Sequence, residues 1–210
     1  MEPITKEEVI KMIEEGKELK GMDFSFADLE GVDFSNLDLS DTSFTGANLN
    51  NAKFENCKMD NVFIADADME NVSFKNSHLT RSVFQRVNLK NANFENANLF
   101  RTQIMVSDLR KANFKNAVMI NSRFEDSNLQ EANFENTDMR GSNFRGADLQ
   151  KANFVKTKFS YSDFRKTKLS GAWFENVEAD EVLVYGRKPW LEGSKADVRY
   201  DQILPNNYGD

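Results

Sequence analysis

From Phe24 to Phe174 every fifth residue is Phe, Leu, Met or Ile, an unbroken series of 31 positions without a slip in phase. Two residues before each of these lies a mostly small residue, as at Ala27, Ala47, Ala52, Ser82, Ala92, Ala112 and Thr137. The positions between are mostly Asp, Asn, Ser, Glu, Lys and Gly. Internal repetition of this regularity governs every later inference about the fold. A stride of five suits neither regular element. In an α-helix each residue turns the chain by about 100°, so positions five apart land on different sides. In a flat strand an odd stride alternates faces and half the Phe residues would meet water. The apolar set stays inside only if the chain turns a corner once per repeat. Each word is then a short extended piece plus a bend, and successive words wind a coil.

Aromatic and aliphatic centres alternate, which predicts an even number of words per coil. A stride of twenty orders the outer positions: Asn36, Asn56, Asn76, Asn96, Asn116 and Asn136 fall in one column, and Ser35, Glu55, Lys75, Glu95, Lys115 and Glu135 in the next. Opposite charges on neighbours about 4.8 Å apart favour that register. A stride of fifteen gives Glu55, Glu70 and Gln85, which has no such logic. Four words per coil is the expectation.

The words "ANLNN", "ADMEN", "ANFEN", "SNLQE" and "ADLQK" resemble the A(D/N)LXX unit of the pentapeptide-repeat proteins. The resemblance covers about residues 22 to 176. It implies an all-β solenoid, a right-handed quadrilateral β-helix of about eight coils with centre and small residue inward. At one strand spacing per coil the rod would be about 38 Å tall. Open ends of such a stack need caps. Thr5 and Glu8 read as a capping box with Ile4 and Val9 as its hydrophobic staple, and Gly16 as the helix stop. The expected organisation is a capping helix and lead-in over 1–21, the repeat β-helix over 22–177, and a C-terminal cap over 178–210. Val182, Leu183, Val184, Tyr185, Trp190, Ile203 and Leu204 would fold over the last coil, with a short helix predicted near 194–204.

Charge and chemistry narrow the function. The net charge of −7 is concentrated at the start: residues 1–50 hold four Lys and twelve Asp or Glu, while residues 51–100 and 101–150 each balance to zero. No basic stripe points to direct nucleic-acid binding, and no basic amphipathic helix to membrane binding. "MEPITKEEVIKMI" is charged from the start and reads as neither a signal peptide nor a membrane span, which predicts a cytoplasmic protein. There is one Cys and one His. Cys57 falls in the small inward slot, where packing explains it. His78 falls at an outward position between Lys58 and Asn98 in the stride-twenty column, without a carboxylate. Asp and Asn before each centre suit the bends, where short polar side chains bond backbone groups. Neither a P-loop nor a GxGxxG is present. No catalytic, cofactor or metal site is expected.

The repeat roughens in its middle. Sorted by a stride of twenty, the apolar residues at outward positions gather into one predicted surface patch: Phe63, Val83, Phe100, Met105, Val106, Val118 and Ile120. An exposed apolar cluster on a polar rod marks an interface; tolerated drift and cover by the C-terminal tail are the competing explanations. The expectation is a non-enzymatic interaction module binding a protein partner or a second copy as a homodimer. The alternative, implied by one subgroup of the family, is a DNA mimic that modulates DNA gyrase in quinolone resistance. Neutrality over 51–150 and the absence of a loop interrupting the repeat argue against that alternative.

Overall fold

The computed structural model describes residues 2–191 and the backbone of residues 194–195. The chain winds as the four-sided, right-handed β-helix that the repeat predicts. Residues twenty apart are bridged in parallel along all four sides, for example Asp23–Ser43, Asp28–Asn48, Asp33–Lys53 and Asp38–Lys58. We number the faces by their centres: face 1 from Phe24, face 2 from Leu29, face 3 from Phe34 and face 4 from Leu39. Backbone amides bond upward to the next coil, as in Leu29 N–H to Asn48 O at 2.8 Å, and downward to the previous one, as in Asn48 N–H to Ala27 O at 3.0 Å.

The alternation of centres now has a physical meaning. With four words per coil, Phe falls on opposite faces 1 and 3, and Leu or Met largely on faces 2 and 4. Face 3 carries Phe34, Phe54, Phe74, Phe94, Phe114, Phe134, Phe154 and Phe174, whose rings stack with centroids 4.8–5.3 Å apart. Rings from face 1 meet them edge-on across the core, as Phe34 meets Phe44 at 6.1 Å and Phe74 meets Phe84 at 5.9 Å. Such stacks add roughly 0.5–1.5 kcal/mol per pair beyond burial.

The corners follow from three sequence features. The residue two after each centre has φ near +60°, from Phe26 to Glu181, with Asn, Asp or Gly at most sites. Those residues tolerate the left-handed region, which a Cβ otherwise disfavours. The residue before the centre, usually Asp or Asn, accepts from the amide two residues on, as Asn93 Oδ1 does from Glu95 N–H at 3.0 Å. The inward slot mostly holds Ala, or a Ser or Thr whose hydroxyl reaches a buried carbonyl, as Thr102 donates to Leu79 O one coil below at 2.6 Å; Val and Cys57 fill it elsewhere. Along the corner between faces 3 and 4 the Asn amides form a continuous ladder from Asn36 to Asn136, with links of 2.8–3.3 Å.

At the N-terminal end α1 (Lys6–Glu14) closes the first coil. Thr5 and Glu8 form the reciprocal capping box. Gly16, at φ +65°, closes the helix with two amide bonds, Gly16 N–H to Ile13 O and Lys17 N–H to Met12 O. Val9 is fully buried, and Ile4, Met12 and Ile13 pack against the core. At the other end a 3₁₀ turn, Pro189–Leu191, brings Trp190 onto Phe159, Phe164 and Phe174. The helix predicted near 194–204 is not what forms at its start. Residues Ser194–Lys195 are extended and pair antiparallel with Trp173 and Phe174. The remainder of that segment lies outside the described residues.

Candidate functional site

Five three-residue strands interrupt the bridge-and-turn pattern: β1 (Phe63–Ala65), β2 (Val83–Gln85), β3 (Gln103–Met105), β4 (Asn153–Val155) and β5 (Trp173–Glu175). The first three lie on face 1 and pair in register, Phe63 with Val83 and Val83 with Gln103. Here the residue before the centre is Phe63, Val83 or Gln103, none of which supplies the short amide or carboxylate clamp of Asn93. Serine hydroxyls from the coil above enter the turns that follow β2 and β3. Val87 N–H donates to Ser107 Oγ at 3.2 Å, and Ser107 N–H to Ser127 Oγ at 3.2 Å. The clamp is kept in β4, where Asn153 Oδ1 accepts from Val155 N–H at 3.1 Å, so its absence accompanies the three strands of face 1 and not every strand.

Three of the seven predicted patch residues are well exposed: Phe63 at 44%, Val106 at 55% and Val118 at 40%. Val83, Phe100, Met105 and Ile120 are half-buried. The structure divides them into three neighbouring groups. Phe63 and Val83 pair on face 1. Phe100 and Ile120 are successive on face 4, where Arg101 N–H bonds Ile120 O, with Val118 beside them. Met105 and Val106 border the far side of face 1. The Arg101 guanidinium lies over the Phe100 ring, 5.2 Å from its centroid.

Val106 departs furthest from the rules of the fold. Its φ is +54°, and it is the one β-branched residue in the left-handed region among the described residues. Its counterparts along that corner include Phe26, Gly46, Asp66, Asp126 and Gly146. Such a residue is held at a cost of roughly 1–3 kcal/mol. The fold does not require it, since the same turn is made by Asn and Gly elsewhere.

Other exposed apolar residues were not in the predicted set: Ile10, Phe26, Tyr161, Trp173, Leu183 and Leu191. A stride of twenty places Tyr161 in the corner column of Arg81 and Arg101, so its signal was present. Phe26 has a local explanation, since its ring lies over Gly46, where an added Cβ would approach the ring to 2.6 Å.

The candidate chemical residues take the structural positions that packing assigns. Cys57 is fully buried; burial pushes its thiol up to about 11, and Sγ donates to Phe34 O at 2.9 Å. His78 is exposed, bridged to Lys58 and Asn98. Among the described residues no three or more His, Cys, Asp or Glu are gathered in a metal-binding cluster. A cleft of about 560 Å³ lies beside α1, lined by Ile4, Thr5, Glu8, Lys11 and Met12 among others, and its Glu8 is held by the capping box. Among the described residues no helix is long and apolar enough to cross a membrane.

Faces 2 and 3 are polar and tied together by ion pairs between coils. Lys75 meets Glu95 at 3.4 Å, Lys90 meets Glu70 at 3.1 Å and Lys115 meets Glu135 at 3.0 Å. Exposed pairs of this kind contribute little individually.

Comparison with known proteins agrees with this geometry. The sequence matches the Pentapeptide repeat region family over residues 47–117 and 107–183, and Pentapeptide repeats (8 copies) over residues 23–61. Among curated proteins none matches the chain in sequence. Among solved structures it is similar to trypsin-treated QnrB1, a plasmid-mediated fluoroquinolone resistance protein, at 22% identity and a TM-score of 0.53, over 77% of this chain and 84% of that one. Full-length QnrB1 aligns at 21% identity and a TM-score of 0.52, over 77% and 86%. HetL, involved in heterocyst differentiation regulation in the cyanobacterium Nostoc, aligns at 15% identity and a TM-score of 0.44, over 87% and 93%. The matched residues, the inward centres and the four-sided coil together identify the chain as a member of the pentapeptide-repeat protein family.

Proposed function

We propose that this protein is a non-enzymatic, cytoplasmic scaffold whose middle coils offer an apolar interface to a protein partner. Val106 carries the proposal. A β-branched residue at φ +54° destabilises the fold, and more than half of its side chain is exposed, so folding does not account for it. It follows Met105 at one edge of face 1, and Phe63, Val83, Phe100, Val118 and Ile120, the other departures from the polar repeat, lie across that face and on face 4 beyond it. A rigid rod suits such a task because its surface is ordered before binding, which lowers the entropic cost of association.

Site-specific photo-crosslinking in cells tests this. A benzophenone side chain at Phe100 should yield discrete protein adducts, whereas the same group at Ser73 on face 3 should not. Equal adducts from both faces, or none at Phe100, would remove the basis for an interface here.

A gyrase-modulating DNA mimic is the second reading, favoured by the similarity in fold to QnrB1 and by the acidic first coils. It predicts inhibition of gyrase supercoiling, or protection from a quinolone, at near-stoichiometric protein. The charge distribution described below opposes it, and we expect no effect.

A further inference from the structure

Block sums along the chain conceal how charge is divided among the faces. Residues 67–124 contain nine Lys or Arg and four Asp or Glu, a surplus of five. The four carboxylates all fall on the two polar faces. Asp68, Glu70 and Asp108 lie on face 2, and Glu95 lies on face 3. Over the same coils, faces 1 and 4 and the two corners bounding face 1 carry Arg81, Arg86, Arg101, Arg123 and His78, and no carboxylate.

The arginines differ in their partners. Arg86 is paired with Asp66 through two hydrogen bonds of 2.7 and 2.6 Å, and Arg123 is paired with Glu125 at 2.8 Å. Both carboxylates lie at the margin of the region. Arg81 and Arg101 stand at successive levels of the corner between faces 4 and 1, exposed, with no carboxylate within ion-pair distance among the described residues. Around them lie Phe100, Ile120, Val83 and, one coil below Val83 and outside residues 67–124, Phe63; at that lower level Asp60 on face 4 accepts from Thr80 N–H at 3.1 Å. Like charges stacked one coil apart repel, so the fold gains nothing from this arrangement. Arginine beside aromatic and aliphatic side chains is the composition of an interface centre.

On the footing that the interface proposed above exists, we infer that its occupant is an acidic protein segment with apolar anchors, its carboxylates meeting Arg81 and Arg101 and its anchors covering Phe100, Val83 and Met105. Charge complementarity selects this occupant. A two-fold pairing of the same patch on two copies would set arginine against arginine, which is strongly unfavourable. A polynucleotide would use the two arginines but leave the surrounding apolar side chains uncovered, whereas nucleic-acid sites surround the backbone with further cations.

Selection from a displayed library of random peptides on the full-length protein, repeated on the R81E/R101E variant, tests the inference. Glu already occupies this turn position at Glu131, φ +60°, so the fold should tolerate the exchange. Circular dichroism checks that it does. Peptides selected on the wild type should be net negative with aromatic or aliphatic anchors. They should bind at least about tenfold more weakly for each reversed arginine, and the variant should select net positive sequences instead. Neutral or basic winners on the wild type, winners indifferent to R81E/R101E, or no winners at all would overturn the inference. So would oligothymidylate binding that matches the best peptide, or a concentration-dependent mass that R81E/R101E abolishes. The last result would assign the patch to the acidic first coils of a second copy. Photo-crosslinking from Phe100 separates the two proposals, because adducts in cells without acidic winners would leave the interface intact and reject only the acidic partner.

Discussion

Replacing Val106 by Asn is expected to stabilise the protein, although the change removes an apolar side chain. Two terms set the magnitude. Relieving a left-handed backbone of its Cβ-branched clash returns roughly 1–2 kcal/mol. Against this, Val106 is 55% exposed, so less than half of the roughly 1.5–3 kcal/mol for burying a whole side chain is at stake, and Asn retains part of that contact. The net gain is about 0.5–1 kcal/mol, which in a chain of this size moves the melting temperature up by about 1–4 °C. Val106→Thr is the control, because it is equally β-branched and nearly the same size. It removes the hydrophobicity and keeps the strain, so it should give no gain. Urea denaturation followed by circular dichroism, run on both variants, isolates the backbone term as their difference of about 1–2 kcal/mol. If Val106→Asn is no more stable than Val106→Thr, Val106 carries no strain and its claim to be held for binding fails. If it is more stable and also loses the Phe100 crosslinks, stability has been exchanged for an interface.

The remaining expectations concern the core and the corners. Phe94 sits between two stacked rings at 4.9 and 4.8 Å, whereas Phe84 has Ile64 and Ile104 above and below it and a single edge contact to Phe74. Phe94→Leu should therefore cost about 0.5–1.5 kcal/mol more than Phe84→Leu in urea denaturation, and equal costs would mean that stacking adds nothing to burial. Cys57 should resist a thiol reagent in the native state at pH 8 and react fully in denaturant; rapid native labelling would contradict its burial. The Ser25 hydroxyl and amide hold the Asp23 carboxyl below the usual carboxylate range, as Ser35 does Asp33 and Arg86 does Asp66. A lowered folded-state pKa contributes stability above the unfolded value of about 3.9 that is lost as pH falls through the folded value. Melting temperature should be level from pH 8 to pH 5 and fall only below about pH 4. A fall beginning above pH 5 would assign acid sensitivity to other groups.

The fold was legible because the repeat over-determines it. A stride of five demands corners, a stride of twenty orders the Asn column, and the Asn36 to Asn136 ladder then forms at the spacing the sequence implies. The C-terminal cap was less legible. Its residues follow no period, and a helix was expected where Ser194 and Lys195 instead pair with β5, because an open sheet edge offers hydrogen bonds that local propensity does not reveal. The patch stood between these cases. Its seven residues could be gathered by counting in twenties, but exposure could not, since a half-buried Phe100 and an exposed Phe63 look alike in sequence. The sign of φ at Val106 was in principle readable, because every residue two after a centre turns left-handed.

Charge shows where linear reading loses information. Over residues 51–150 the sum is zero, which hides how charge is divided around the rod. In a solenoid, charge is organised by face rather than by stretch, and one coil visits all four faces within twenty residues. A window of fifty therefore averages the Glu–Lys wall of face 3 with the arginine corner beside face 1. The physical consequence separates the two functional readings. A DNA mimic needs carboxylates spread along a continuous surface of the rod. Here residues 67–124 present none on faces 1 and 4, and Arg81 and Arg101, without a carboxylate in ion-pair distance among the described residues, stand beside apolar side chains. A partner approaching that side meets the potential opposite to that of a phosphate backbone, and it divides the acidic coils below residue 50, fewer than two turns of the helix, from the six carboxylates of residues 125–150, so no acidic surface runs unbroken along the rod.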